Sequence, residues 1–357
     1  MNRINEKNTY SVTRLAVFTF SHFIVDFCCF YMLFSWYSSG ASPIQTVIIG
    51  FLAYNIIAFG LQPVIGYICD ANKKIPAEII GFILLIIGIF SMPFPAASIA
   101  LMGTGNAFFH IAGGVESLRS SGGKLSRSGV FVSSGALGVV FGNLAGSAGR
   151  LPVYVLIGVS MLCLILMCGI YKKRLKSNET AAVFALAKPG LKFGTVIIFA
   201  AVSIMIRSYA GSVLPAEWKT TTLLIVFPAA GAFFGKFAGG FIADRVGARR
   251  TAVLSLLAAM AFLAFGYTQP WVYLVGVAFF NMSMSVTLCT VASVLPDNPG
   301  LAFGITTLAL LCGNIPTFFM PVENAALVFI VLTVISTACL YHILKGKNHN
   351  IRRLHSE

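Results

Sequence analysis

Gly, Pro and clusters of charge cut this chain into about twelve apolar runs, each close to the roughly 20 residues that a helix needs to cross a bilayer core. No other feature limits the possible folds as strongly. The runs fall at roughly 12–36, 45–69, 76–95, 97–115, 128–148, 151–171, 190–210, 220–243, 251–268, 271–294, 300–320 and 323–344. In lipid a spanning segment satisfies its own backbone hydrogen bonds, so runs of this length read as helices. The expectation is an all-α integral membrane protein with the lipid bilayer as solvent. Composition agrees, with 57% hydrophobic and 10% charged residues, against about 25% charged in soluble domains. A net charge of +14 would suggest nucleic acid in a soluble protein. Here the Lys and Arg lie in short gaps between apolar runs, where they act as topology signals, so nucleic acid is excluded as a partner.

The polar opening MNRINEKNTY precedes a run that carries Asp26 and is too long for a signal-peptide core, which predicts a retained first helix. The eight cysteines lie in or at the ends of apolar runs and never form C-x-x-C, so they read as reduced packing residues. No metal site and no cofactor are expected. Alternate gaps test the count of spans. One set holds Arg3 and Lys7, then Lys73 and Lys74, then Arg119, Lys124 and Arg127, then residues 172–188 with five basic residues, then Arg245, Arg249 and Arg250, and last the basic tail from Lys345. The opposite set holds only Arg150 and Lys219. The positive-inside rule then places both termini in the cytoplasm, and Trp36, Trp218 and Trp271 at outer, interfacial ends.

With this topology the stretch GGFIADRVGARR, residues 239–250, ends the eighth span. The equivalent place after the second span reads GYICDANKK, with Gly66 four residues before Asp70. Gly66 and Gly240 are 174 residues apart (240 − 66), about half the chain. A duplicated architecture follows, of the kind on which many transporters are built. The predicted units are a six-helix bundle over 1–171, a cytoplasmic linker over 172–189, a second six-helix bundle over 190–344 and a basic tail over 345–357. Gly near a helix end lets a neighbour approach, and Asp at the surface can accept hydrogen bonds from a helix N-terminus or pair with a cation. Such contacts suit a gate that breaks and reforms. The plainer alternative is that the basic residues only set topology.

Gly240, Asp244, Arg245, Gly247, Arg249 and Arg250 resemble the loop signature of the major facilitator superfamily, with Ala248 at its first basic position. The first copy departs from it, with Ala71 in place of Arg and Lys73 in place of Gly. Gly129, Gly138, Gly142 and Gly146 resemble the antiporter signature of drug/proton antiporters, although Asn143 replaces the expected Pro and Ser147 the last Gly. The same glycines read equally well as a packing face. SHFIVDF, LQPVIGYICD, GTGNAFFHIAGG, SSGGKLSRSG and LPDNPGLAFG resemble segments of fosmidomycin-resistance-type exporters, with Ile111 and Ala112 in place of the usual Pro and Glu after His110. The resemblance implies a secondary transporter in the cell membrane that exports a small solute in exchange for protons.

Ionisable groups at bilayer depth mark candidate sites. Asp26 lies ten residues before Trp36, about 15 Å of helix, near the midplane. His22 lies one turn earlier on the same face, so the two can share a proton or simply form a satisfied polar pair. With His110 they are the proton-coupling candidates. Glu116 reads as a solvated or gate-pairing carboxylate. Arg207 and Lys236 suit an anionic substrate such as a phosphonate, phosphate ester or carboxylate, unless Arg207 snorkels to the surface. Asn55, Gln62, Phe108 and Phe109 are candidates to line the cavity. The expected function is proton-coupled efflux of a small anionic or polar solute by a monomer. Uptake by symport or facilitated diffusion is the alternative. A membrane enzyme or a receptor is less in keeping, since the acids are scattered and no D-D-x-x-D, H-E-x-x-H, G-x-S-x-G or nucleotide-binding loop occurs.

Overall fold

The computed structural model describes residues 2–40, 42–149, 151–174, 183–319 and 322–346, with residues 2–10 as backbone only. Arg150, residues 175–182 of the expected linker and residues 347–357 of the expected tail lie outside the described residues. The helices of the first part are α1 (Asn2–Ser38), α2 (Ile44–Gly60), α3 (Gln62–Ala71), α4 (Ala77–Phe90), α5 (Pro95–Arg119), α6 (Leu125–Ala148) and α7 (Val153–Arg174). Those of the second are α8 (Phe193–Val213), α9 (Thr222–Val246), α10 (Ala248–Gly266), α11 (Pro270–Asn281), α12 (Ser283–Ser293), α13 (Pro299–Asn314), a 3₁₀ turn at Ile315–Phe318 and α14 (Ala325–Ile343).

Ten helical segments among the described residues are long and apolar enough to cross a membrane. Two of them are double, Ile44–Ala71 joining α2 to α3 and Pro270–Ser293 joining α11 to α12. The break at Leu61 follows from Pro63, whose ring nitrogen has no proton for the carbonyl of Phe59. At the break near Met282, Asn281 Nδ2 donates to Val277 O and Ser283 Oγ to Phe280 O, so side chains compete for helix carbonyls. The predicted spans at 76–95 and 97–115 correspond to α4 and α5. Helix α4 has only 14 residues. Helix α5 has 25 but carries Asn106, His110, Glu116 and Arg119, and neither is among the ten.

Within the first part α1 packs on α6, α4 on α5 and α7, and α2 on α5; within the second, α9 packs on α11, α8 on α13 and α14, and α10 on α11 and α14. The two parts meet along α6 with α9 and along α3 with α13. Small residues make the α1/α6 seam. A Cβ added at Gly138, Gly142 or Gly146 would sit 2.5, 2.4 and 2.4 Å from the carbonyl oxygens of Phe23, Phe27 and Tyr31. Backbone touches backbone there, which is how helices associate where lipid removes the hydrophobic drive.

Ion pairs tie helices within the first part. Glu116 is not solvated: it is 4% exposed and its Oε1 accepts from Arg14 Nε and Nη2 at 2.9 and 2.6 Å, joining α5 to α1. Glu78 pairs with Arg174 at 3.2 Å, joining α4 to the end of α7. Residues 186–188 run antiparallel to the end of α14, Lys188 N donating to Ile343 O and Lys345 N to Leu186 O, both at 2.8 Å. The three tryptophans differ. Trp36 donates to Ser42 Oγ and Trp218 to Tyr267 O, tying down loops, while Trp271 is 70% exposed. All eight cysteines are free thiols.

Candidate functional site

Helix α1 presents His22 and Asp26 one turn apart, and α5 brings His110 to the same point. His22 Nε2 lies 3.2 Å from Asp26 Oδ2, and His110 Nε2 lies 3.7 Å from Asp26 Oδ1. The two imidazoles meet edge to face, 4.5 Å between centroids. All three residues are buried. Each ring has its other nitrogen on a backbone carbonyl: His22 Nδ1 donates to Phe131 O at 2.8 Å and His110 Nδ1 to Asn106 O at 3.0 Å. Carbonyls only accept, so these bonds keep the Nδ1 protons and turn both Nε2 atoms toward the carboxylate. With neutral rings and an ionised Asp26, lone pairs would face lone pairs. Asn106 Nδ2, 3.1 Å from Asp26 Oδ1, supplies one donor. A further proton shared among the three groups would relieve the remaining repulsion.

Room for the cluster comes from α6. A Cβ at Gly135 would lie 2.4 Å from Asp26 Oδ2 and 2.6 Å from His22 Nε2. The ligand atoms of the three residues lie within 4.8 Å of one another, a spacing that a metal ion could also use. The positive charge nearby opposes a divalent cation there.

That positive charge comes from the second part. Arg207 on α8 is 7% exposed, so it does not snorkel to the surface, and its Nη1 donates to Ser283 Oγ at 3.3 Å and Thr287 Oγ1 at 3.2 Å. Lys236 on α9 is half-buried and lies within electrostatic reach of Arg207, Asp26 and His110. His22, Asp26, His110, Lys236 and Arg207 therefore gather across the seam, with Lys236 in reach of both Arg207 and Asp26, whereas Glu116 pairs with Arg14.

Both Gly-to-Asp turns lie at one end of this seam. Asp244 accepts from Leu125 N at 2.7 Å and Ser126 N at 3.1 Å, capping the first turn of α6. Asp70 accepts from Gly300 N at 3.0 Å and Leu301 N at 2.8 Å, capping α13. Each aspartate thus belongs to one part and caps a helix of the other, where free N–H groups and the helix dipole favour an anion. The glycine one turn earlier permits the approach. A Cβ at Gly66 would lie 2.2 Å from Gly300 O, and one at Gly240 2.7 Å from Leu125 O. Gly247 ends α9 at φ +99°, in the left-handed region that favours glycine. No positive φ occurs at Lys73, where the chain leaves α3 through Asn72 and Asn72 Oδ1 accepts from Lys74 N. The first turn therefore follows a path that needs no glycine. Arg119 of α5 stands 3.9 Å from Asp70.

No protein-family profile and no curated protein sequence matches the chain. Solved structures do. A variant of the E. coli fucose:proton symporter, FucP, superposes with a TM-score of 0.69 at 11% identity, covering 92% of this chain and 98% of that one. FucP in the outward conformation gives 0.60 at 11% identity, over 91% and 98%. The human organic anion transporter MFSD10 gives 0.60 at 14% identity, over 92% and 99%. The chain has the major facilitator fold. At these identities the likeness establishes the fold alone.

On this fold the other singled-out residues take different places. Phe109 is fully buried, 5.3 Å from Phe82 and 6.1 Å from Phe18, and forms the packing behind the histidines. Gln62 is fully buried in the α3/α13 seam beside Gly304, its Nε2 on Ala58 O. Asn55 is half-buried and donates to Phe51 O. Gly129 faces the carbonyl of Lys236 across the seam, whereas Gly138, Gly142 and Gly146 face α1. Asn143 is half-buried and accepts from Ser147 Oγ. Arg249 stacks 3.6 Å over the ring of Tyr341 at the end of α14, and Arg245 and Arg250 are exposed. Sequence reasoning missed Asn106, Gly135, Ser283 and Thr287. Asn106 and Gly135 sit in the glycine-rich runs of α5 and α6, and Ser283 and Thr287 in a hydroxyl-rich stretch one turn apart, but their partners are far away in sequence.

Proposed function

We propose that the protein is a secondary transporter that moves a small organic anion across the cell membrane by alternating access, coupled to protons. The observation that carries this reading is the placement of a buried proton-binding cluster in one part against two cations in the other, beside a seam held at one end by reciprocal aspartate caps. Residues 1–171 and 190–344 act as two six-helix bundles, with α4 and α5 as the third and fourth of twelve spans and 172–189 as their linker. Both termini and the aspartate turns lie on the cytoplasmic side. His22, Asp26 and His110 carry the proton, Arg207 and Lys236 attract the anion, and the turns at 66–70 and 240–250 are the inner gate. The working unit is a monomer without cofactor or enzymatic activity.

Export in exchange for protons, as in fosmidomycin-resistance-type carriers, is the direction that the sequence resemblance favours. Co-transport of anion and proton is the second reading, and one observation supports it. Protonating Asp26 removes the negative charge that offsets Lys236, so proton and anion strengthen each other's binding, and that coupling is reciprocal. Proteoliposomes with an imposed pH gradient and a panel of radiolabelled organic anions test both. Uptake into vesicles acidic inside means exchange, and uptake into vesicles acidic outside means co-transport. Flux unaltered by collapse of the gradient and by Asp26→Asn refutes proton coupling in either direction.

A further inference from the structure

Beyond Arg207, away from the Asp26 cluster, α8, α9, α10 and α11 line an open chamber of about 220 Å³ that reaches toward Tyr273 and Leu214. Arg207 forms its inner wall. Its guanidinium is buried, one nitrogen is held by two neutral hydroxyls, and no ion pair to it occurs among the described residues. A buried cation without a counter-ion is costly, and an anion entering the chamber would supply one. The remaining walls are mostly apolar, formed by Leu214, Ala232, Leu263, Val277 and Phe280.

The polar groups of the wall narrow the chemistry further. Ser208 Oγ donates to Leu310 O, Ser212 Oγ to Ser208 O, and Asn281 Nδ2 to Val277 O. These bonds leave the Arg207 guanidinium, the Tyr273 hydroxyl and the second amide proton of Asn281 as the donors of the lining. A phosphate dianion or a polyol needs a shell of donors; one carboxylate needs a guanidinium fork. An apolar cavity of about 150 Å³ accepts a benzene ring, so 220 Å³ has room for a ring and a carboxylate.

We propose that this chamber binds an amphipathic organic monoanion, carboxylate on Arg207 and compact apolar body against α9, α10 and α11. This deepens the transport reading by naming the solute, and rests on it only for the claim that the solute is carried. The test is calorimetric binding to the full chain in nanodiscs, with phenylacetate as probe and acetate and 2-phenylethanol as controls. Phenylacetate is expected to bind at least tenfold more tightly than either. Arg207→Gln should weaken phenylacetate at least tenfold and leave 2-phenylethanol unchanged. Gly211→Leu should weaken phenylacetate by a similar factor and leave acetate unchanged, since a Cβ at 211 meets only Phe280 Cε1, at 3.9 Å, and the added side chain fills the chamber without moving backbone. Equal binding of phenylacetate and 2-phenylethanol overturns the proposal, as does phenylacetate binding untouched by the variants. Should Arg207→Gln fail to fold, Gly211→Leu decides. Binding without flux in proteoliposomes would refute transport and keep the chamber; phenylacetate flux that survives both variants would refute the chamber and keep transport.

Discussion

Removing the aspartate caps should open the seam at the capped end, and a native thiol reports it. Each cap is a pair of backbone N–H bonds to one carboxylate, Asp244 on Leu125 and Ser126 and Asp70 on Gly300 and Leu301. Once the seam opens, water replaces these bonds, so each is worth about 0.5–1.5 kcal/mol net. The loss of an anion at a helix N-terminus adds about 0.3–1 kcal/mol. The sum spans about 1.3–4 kcal/mol per aspartate with a centre near 2.6 kcal/mol, and at 1.4 kcal/mol per decade that centre shifts the closed-to-open equilibrium about 70-fold. The caps sit on different helix pairs, so Asp70→Ala and Asp244→Ala together should approach the product, several thousandfold. Cys289 is fully buried on α12, 3.5 Å from Ser128 Oγ of α6, one turn inside the Asp244 cap. Its labelling by N-ethylmaleimide, followed by peptide mass spectrometry, should accelerate by these factors until the open state predominates. Cys163 is equally buried, but on α7 inside the first part, and should not change. An unaltered rate at Cys289 in the double variant refutes the cap reasoning; an equal rise at Cys163 would mean general loosening instead.

Three further outcomes follow from the geometry. Asp26→Asn keeps the shape of the cluster but removes its charge, so proton-driven flux should fall about 100-fold or more, while gradient-independent exchange of labelled solute across the membrane persists. Gly142→Val drives side-chain atoms into the Phe27 carbonyl, 2.4 Å from the first added carbon, and should destabilise the α1/α6 seam by about 1–3 kcal/mol or more; a thermal midpoint equal to the native one would contradict the described packing. Glu116→Leu breaks a buried pair with Arg14 at a cost of about 3–5 kcal/mol, and Arg14→Leu added to it should recover part of that stability, read as detergent-solubilised yield and midpoint.

How far the sequence reached depended on whether a feature was periodic along the chain or convergent in space. Helices long enough to span, the two matched Gly-to-Asp turns and the cations in alternate gaps are local patterns of length and spacing, and a bilayer enforces such patterns because backbone bonds are satisfied within each segment. His22 and Asp26 were readable as a pair because i and i+4 share a helix face. The division of labour among the glycines was not readable. Gly129 faces Lys236 across the seam, Gly135 makes room for His22 and Asp26, and Gly142 touches α1, although all lie on one helix. Glu116, near a helix end, read as a solvated or gate-pairing carboxylate, and only the arrival of Arg14 from α1 shows it buried in a pair within the first part. The partners of Asp70 and Asp244 lie 230 and 119 residues away, on helices of the opposite part. Composition and spacing decided that this chain is a bundle of membrane helices with charges it has to shelter; which charges meet, and which face a chamber, was decided by helix packing, because the cost of burying a charge depends on what arrives beside it from elsewhere in the chain.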